Sequence, residues 1–367
     1  MGEKLYPRGK IALYFFIPVF RKKRAWRIHP MKKLFAAALA LLLLTVSVFP
    51  CAALAENKKL SVVATIFPIY DWVREIAGEN TDKIGLTLLL DSGADLHSFQ
   101  PTAADILKVS TADLFIFVGG ESDEWIEDVL ATAMNADMHT VNLVEALGDL
   151  AKAEELVEGM EHEHEHDHEH EDEDHDHEEH GHDHEHEEAE MDEHVWLSLR
   201  NAQALCRVIA DALSEIDPDS AALYEANAAA YTEKLNALDQ KYAETVAASS
   251  FETLLFGDRF PFRYLADDYS LSYFAAFSGC SAESEASFQT IVFLASKMDE
   301  LGLPAVMTIE HPKSRIAETV VQATKARNQK ILALDSMQSI TAQDVKAGAT
   351  YLSIMESNLE VLKEALN

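Results

Sequence analysis

The sequence predicts an α/β protein of two lobes with largely parallel sheets, joined by one long helix and enclosing a cleft. Two sets of short apolar runs alternate with stretches of helical periodicity, which is the pattern of repeated βαβ units. Between the sets, apolar side chains recur at three- and four-residue spacing over about 30 residues, the signature of a single long helix.

In the first set, residues 60–66 read as a buried strand, 68–77 as a helix, 84–90 as a strand, 102–110 as a helix and 113–118 as a third strand. In the second, 253–256, 271–277, 305–309 and 331–334 read as strands with helices between them, and a last helix is expected over 344–362. The connector is carried by Leu223, Asn227, Tyr231, Leu235, Leu238, Tyr242 and Val246, with Asp217-Pro218-Asp219-Ser220 as a start signal and Ser220 as its N-cap. A helix over 220–249 rises about 45 Å, long enough to run the length of both lobes and to hold them nearly fixed. The expected organisation is therefore a first lobe over 56–219, the helix, and a second lobe over 250–367.

The amino-terminal region is expected to be processed. Met31-Lys32-Lys33 opens an apolar run to Val48, followed by Ala53-Leu54-Ala55, so 31–55 reads as a secretory signal peptide cleaved after Ala55. Residues 1–30 are basic, with an apolar stretch too short to span a bilayer, and suggest that Met31 is the true start. Cys51 offers a lipid-anchor reading, which Phe49-Pro50 before it disfavours, because such sites use small residues there.

Charge narrows the partners. The whole chain carries 30 Lys and Arg against 63 Asp and Glu, and cleavage after Ala55 leaves 312 residues with 20 basic and 62 acidic side chains. Nucleic acid and anionic lipid are excluded as favoured partners, and cations are favoured. Only Cys206 and Cys280 remain, too few for a disulfide framework or a cysteine zinc module, so a metal site must rest on His and carboxylates. Much of the acidic excess lies in residues 161–193, which hold 19 acidic residues, 11 His and no Lys or Arg. Such a segment cannot bury a core and reads as a loop, 161–190, inserted in the first lobe.

Ligands of parallel α/β folds sit beyond the carboxyl ends of strands, and the notable residues fall there. After the strand 84–90 comes Asp91-Ser92-Gly93-Ala94-Asp95-Leu96-His97-Ser98-Phe99-Gln100-Pro101-Thr102, a Gly- and Pro-shaped loop that presents His97. His194 stands in Asp192-Glu193-His194-Val195-Trp196-Leu197-Ser198, where the acidic tract gives way to a helix. In the second lobe the strand 305–309 ends in Glu310-His311, and 331–334 ends in Asp335. Taken singly, a loop His is more often an ordinary surface residue. Trp72, Trp125 and Trp196 read as packing residues, Cys206 as core, and Cys280 as a loop cysteine without a role, although its position after a strand lets it approach the cleft.

With these motifs in view, the sequence resembles the cluster A-I substrate-binding proteins of bacterial zinc and manganese ABC transporters. The resemblance runs from about Leu60 to Leu366. It includes the Gly-x-Asp-x-His-x-Phe-x-Pro-Thr loop, the Asp-x-His-x-Trp-Leu-Ser motif, the interlobe helix, an acidic His-rich insertion and Lys346-Ala347-Gly348-Ala349-Thr350-Tyr351-Leu352-Ser353-Ile354-Met355. It implies a metal site in the cleft with His97 and His194 as ligands, and a second-lobe acidic ligand at Glu310 or Asp335. One departure stands out. Where the family usually has His-Asp-Ala-Phe-x-Tyr, this chain has Arg259-Phe260-Pro261-Phe262-Arg263-Tyr264, and a guanidinium stays protonated with no lone pair to give. Asp258, His311, both second-lobe carboxylates, or water remain as replacements.

The expected cargo is zinc, which accepts imidazole and carboxylate in a four-coordinate shell, and the eleven imidazoles of the insertion favour it over manganese. Manganese remains possible, because replacing a His by a carboxylate moves a site towards it. The resemblance implies an exported monomer at the periplasmic or outer face of the membrane that delivers the ion to an ABC permease. Two other classes compete: a zinc-dependent hydrolase, and a metal buffer or chaperone acting through the His-rich loop. His-Glu-x-x-His occurs only within the acidic His-rich insertion, at residues 162–166 and 164–168, in a tract that reads as a loop and not as the helix this motif needs, and the chain holds no serine nucleophile elbow, so no enzyme is expected.

Overall fold

Val62, Val63 and Ala64 are buried on both faces of β1 (Leu60–Ala64), which is what the unbroken apolar run demands of a central parallel strand. In this computed structural model, which describes residues 59–160, 190–281 and 285–367, β1 pairs with β2 (Ile84–Leu88) on one side and β3 (Leu114–Phe117) on the other. A short edge strand, β4 (His139–Asn142), completes a parallel sheet of order β2-β1-β3-β4. The expected signal segment and nearly all of the acidic His-rich insertion lie outside the described residues. Among those described, no helix is long and apolar enough to cross a membrane.

The first lobe's helices are α1 (Phe67–Ala77), α2 (Ala103–Ser110), α3 (Trp125–Ala131), α4 (Leu143–Leu147) and α5 (Leu199–Ile216). Thr102 and Asp105 form a reciprocal capping box that starts α2 immediately after the loop bearing His97. The second lobe repeats the plan. β5 (Thr253–Phe260), β6 (Ser272–Ser278), β7 (Ala305–Ile309) and β8 (Lys330–Leu334) form a parallel sheet of order β6-β5-β7-β8. Its helices are α7 (Arg263–Tyr269), α8 (Phe288–Leu301), α9 (Arg315–Ala323), α10 (Ala342–Ala347) and α11 (Tyr351–Ala365). The two lobes with parallel sheets are thus present as expected.

Between the lobes runs α6 (Ala221–Ala247), 27 residues or about 40 Å of helix, packed on α1 and α5 at one end and on α7 and α11 at the other. Ser220 does not cap it with its side chain. A 3-10 turn, Pro218–Ser220, leads into the helix instead, and the Ser220 hydroxyl accepts from Lys83 at 3.4 Å. One apolar core spans both lobes, with Trp72, Trp196, Tyr351 and Cys206 fully buried in it, and a second around Leu294 and Val306 belongs to the second lobe. Hydrogen bonds stitch that core across: the Trp196 indole donates to the Ser336 carbonyl at 2.8 Å, the Tyr351 hydroxyl to the Trp196 carbonyl at 2.7 Å, and the Tyr351 amide to Asp71 at 2.7 Å.

β4 was not expected, and two expected elements differ markedly in extent. The carboxyl-terminal helix is broken, because Gly348 takes φ of 101° and Thr350 starts a new helix with Ser353 in a reciprocal cap. β5 is longer than residues 253–256, because an irregularity between Phe256 and Arg259 lets the strand resume, with Arg259 paired to Phe277.

Candidate metal centre

The loops that follow β2, β3 and β6 meet at the carboxyl ends of the two sheets, where a parallel fold leaves its crevice. In the first loop Leu96–Ser98 forms a 3-10 turn capped by Asp95, whose Oδ1 accepts the His97 amide at 3.0 Å. That turn aims the His97 ring at His194, and the two Nε2 atoms stand 3.1 Å apart. Both rings are held from behind. His97 Nδ1 lies 2.8 Å from the Ser122 hydroxyl and 3.5 Å from Glu193 Oε2, while His194 Nδ1 lies 3.0 Å from Asp192 Oδ1. The same Asp192 oxygen accepts the His194 amide at 2.8 Å, so one carboxylate fixes both backbone and ring.

This arrangement leaves two imidazole nitrogens facing one point. Two zinc bonds of about 2.0–2.1 Å at a tetrahedral angle place their nitrogens about 3.3 Å apart, close to the spacing found. A carboxylate or hydroxyl on the far ring nitrogen is what a metal-binding histidine requires to present its other nitrogen unprotonated. His97 already favours the neutral form. Burial, the neighbouring His194 and, to a smaller extent, Arg259 hold its pKa down to about 3 against the opposing charges of Asp95 and Asp192.

From the second lobe comes Cys280. Among the described residues, one group of three or more His, Cys, Asp or Glu has ligand atoms all within 4.8 Å of one another, and it is His97, His194 and Cys280. Gly279 permits the approach, because a Cβ there would lie 3.1 Å from the His194 ring. The Cys280 amide donates to Glu154 at 3.0 Å, and burial, with the carboxylates of Glu154, Asp192 and Glu193, pushes its thiol pKa up. The site opens on a cavity of about 420 Å³ that His97 and Cys280 line together with Glu121, Glu124, Glu154 and Glu193.

The second-lobe carboxylates stand outside this group. Glu310 accepts from the Ser336 amide at 3.1 Å, from the Ser336 hydroxyl, and from the Ser339 hydroxyl at 2.7 Å. Asp335 accepts the Met337 amide at 2.7 Å, and burial and the nearby Glu310 raise its pKa to about 7. Asp258 turns back on the Arg259 amide at 2.9 Å, and His311 is exposed. Cys280 stands in no spacing signature. Asp192 does, since it stands in the same motif as His194.

The sequence model of the family described as ZnuA, the periplasmic zinc-uptake complex component A, matches residues 62–365. The chain belongs to that family. Among its relatives, the zinc-binding lipoprotein AdcA of Streptococcus pneumoniae serotype 4 (strain ATCC BAA-334 / TIGR4) is 33% identical over 306 residues, 83% of this chain and 56% of AdcA. This chain therefore spans little more than half the length of that relative. The high-affinity zinc uptake system protein ZnuA of Bacillus subtilis (strain 168) is 29% identical, over 85% of this chain and 89% of its own length. The crystal structure of Zn(II)-bound AdcA from Streptococcus pneumoniae aligns with a TM-score of 0.63 at 29% identity, covering 84% of this chain and 58% of AdcA. The ZnuA-like domain of the same protein, also Zn(II)-bound, aligns at 0.62 and 28% identity, covering 84% and 99%.

As a ZnuA-family member, this chain departs from the pattern at Arg259, and the structure gives that residue other work. Its guanidinium lies 2.5 Å from Asp95 Oδ2 and 3.4 Å from the Ser281 carbonyl, joining the His97 loop to the Cys280 loop. Burial alone would raise the Asp95 carboxyl. The hydrogen bond and charge of Arg259, with His97 adding less, bring it below its usual range instead.

Proposed function

We propose that this protein captures a zinc ion in the cleft between its lobes, with His97 and His194 as ligands, and delivers it to an ABC permease for uptake. The observation that carries the reading is the pair of Nε2 atoms 3.1 Å apart, each ring held from behind by a hydroxyl or carboxylate. Membership of the zinc-uptake component A family and the Zn(II)-bound state of AdcA support zinc as the cargo. The protein acts outside the cytoplasm and performs no catalysis. Its work is to bind tightly, exclude competitors and release at the permease.

Chelator competition on purified protein tests the site. His97→Ala and His194→Ala should each weaken zinc binding by more than tenfold, that is by more than about 1.4 kcal/mol. Wild-type affinity in the double variant would exclude this site. Uptake of labelled zinc by cells with and without the protein tests delivery, and equal uptake under zinc limitation would contradict it.

A further inference from the structure

Resting on that reading, we infer that Cys280 supplies the third protein ligand as a thiolate, making the site His2Cys and setting its preference for zinc over manganese. Three observations converge on it. Cys280 is the one residue of the second lobe whose donor atom joins His97 and His194 within 4.8 Å among the described residues. Arg259, standing where the resemblance places a third histidine, is bonded to Asp95 and the Ser281 carbonyl, so it holds the Cys280 loop against the site and gives no lone pair itself. The second-lobe carboxylates Glu310 and Asp335 stand outside that group, with oxygens turned to Ser336, Ser339 and Met337.

The geometry suits a sulfur ligand. Zinc bonds of about 2.3 Å to sulfur and about 2.0–2.1 Å to nitrogen, at a tetrahedral angle, separate the two donors by about 3.6 Å, within the 4.8 Å that encloses the three ligand atoms. On binding, the Sγ–H bond breaks, the electron pair on sulfur forms the zinc bond, and the proton leaves to water. No oxidant or reductant takes part. Because Cys280 comes from the second lobe and both histidines from the first, the ion joins the lobes through this bond. Thiolate is a soft donor that suits zinc, whereas manganese prefers oxygen, so the substitution at position 259 and the cysteine at 280 together move the site away from manganese.

Cobalt(II) loading of the full-length protein provides the test, because thiolate bound to cobalt gives a near-ultraviolet charge-transfer band that imidazole and carboxylate do not. The His-rich insertion contains no cysteine, so cobalt held there adds no such band. The expected result is a thiolate band in the wild type that Cys280→Ala abolishes. Cys280→Ser should lower zinc affinity at least tenfold with manganese affinity changed far less. Cys280→His should recover zinc affinity without the band, which separates ligand loss from misfolding. A wild type that binds zinc tightly but shows no thiolate band, or a Cys280→Ala variant with unchanged zinc affinity, overturns the inference and leaves the zinc-capture reading standing. Absence of tight zinc binding in the wild type overturns both.

Discussion

Arg259 and Asp95 form an ion pair across the cleft at 2.5 Å, and the Asp95 carboxylate uses its other oxygen to cap the turn that carries His97. A charge pair that is 16% and 27% exposed on its two sides is partly desolvated, so removing one partner leaves the other costly. Arg259→Ala is expected to destabilise the protein by on the order of 1–3 kcal/mol, and a double-mutant cycle with Asp95→Asn should show coupling between them. The Asp95 pKa is lowered in the folded state, so this contribution is present above the unfolded value near 4 and is lost as pH falls through the folded one. Denaturant unfolding at several pH values measures it, and additive single-variant costs would contradict the pairing.

Asp192 is not in the group of close ligand atoms, yet its Oδ1 holds the amide and ring of His194 together. Asp192→Ala should weaken zinc binding by about 10–100-fold while both histidines remain. Calorimetric titration of this variant is the measurement. Wild-type affinity would mean that the His194 ring is held well enough by packing alone.

Asp71 offers a pH-dependent contribution away from the cleft. Burial raises its pKa to about 6, against the lowering effects of the Tyr351 amide and Arg74. A folded-state pKa above the unfolded value means that its contribution is fully present below about pH 4 and is lost as pH rises through about 6. Asp71→Asn cannot ionise, so its stability relative to the wild type should improve between pH 5 and pH 8. Apo-protein unfolding at those pH values checks this, and a difference independent of pH would refute it.

The acidic His-rich insertion is expected to gather zinc without forming the tight site. Imidazole suits zinc, and the dense negative charge raises the local cation concentration in a salt-dependent way. Deleting residues 161–190 should lower zinc stoichiometry and slow loading at low ionic strength, while the tight dissociation constant stays the same. Stopped-flow loading at two salt concentrations, with calorimetry, decides it. Unchanged stoichiometry after deletion would rule the insertion out as a collector.

The parallel sheets were legible because apolar runs such as Val62 to Ala64 and Ala305 to Met307 admit few other places in a fold. β4 was not, because His139-Thr140-Val141-Asn142 is a short edge strand with one buried apolar side chain, too brief to establish a period. The break at Gly348 depended on a backbone conformation that the surrounding helical pattern concealed. At the site, His97 and His194 stood in motifs whose neighbours shape them, namely Asp95 and Asp192. Cys280 carried no such signal, since its proximity to two histidines 183 and 86 residues earlier in the chain is a product of the tertiary fold alone. Glu310 and Asp335 lie at the expected strand ends. Which way a carboxylate turns there depends on Ser336 and Ser339, whose importance no sequence spacing reveals.

One zinc ion is expected to sit between the lobes on His97 and His194. Diffraction from crystals of the zinc-loaded protein, recorded on either side of the zinc absorption edge, tests it most directly. An anomalous peak is expected about 2.0–2.1 Å from both Nε2 atoms. Full zinc loading with no peak between those two rings would contradict it.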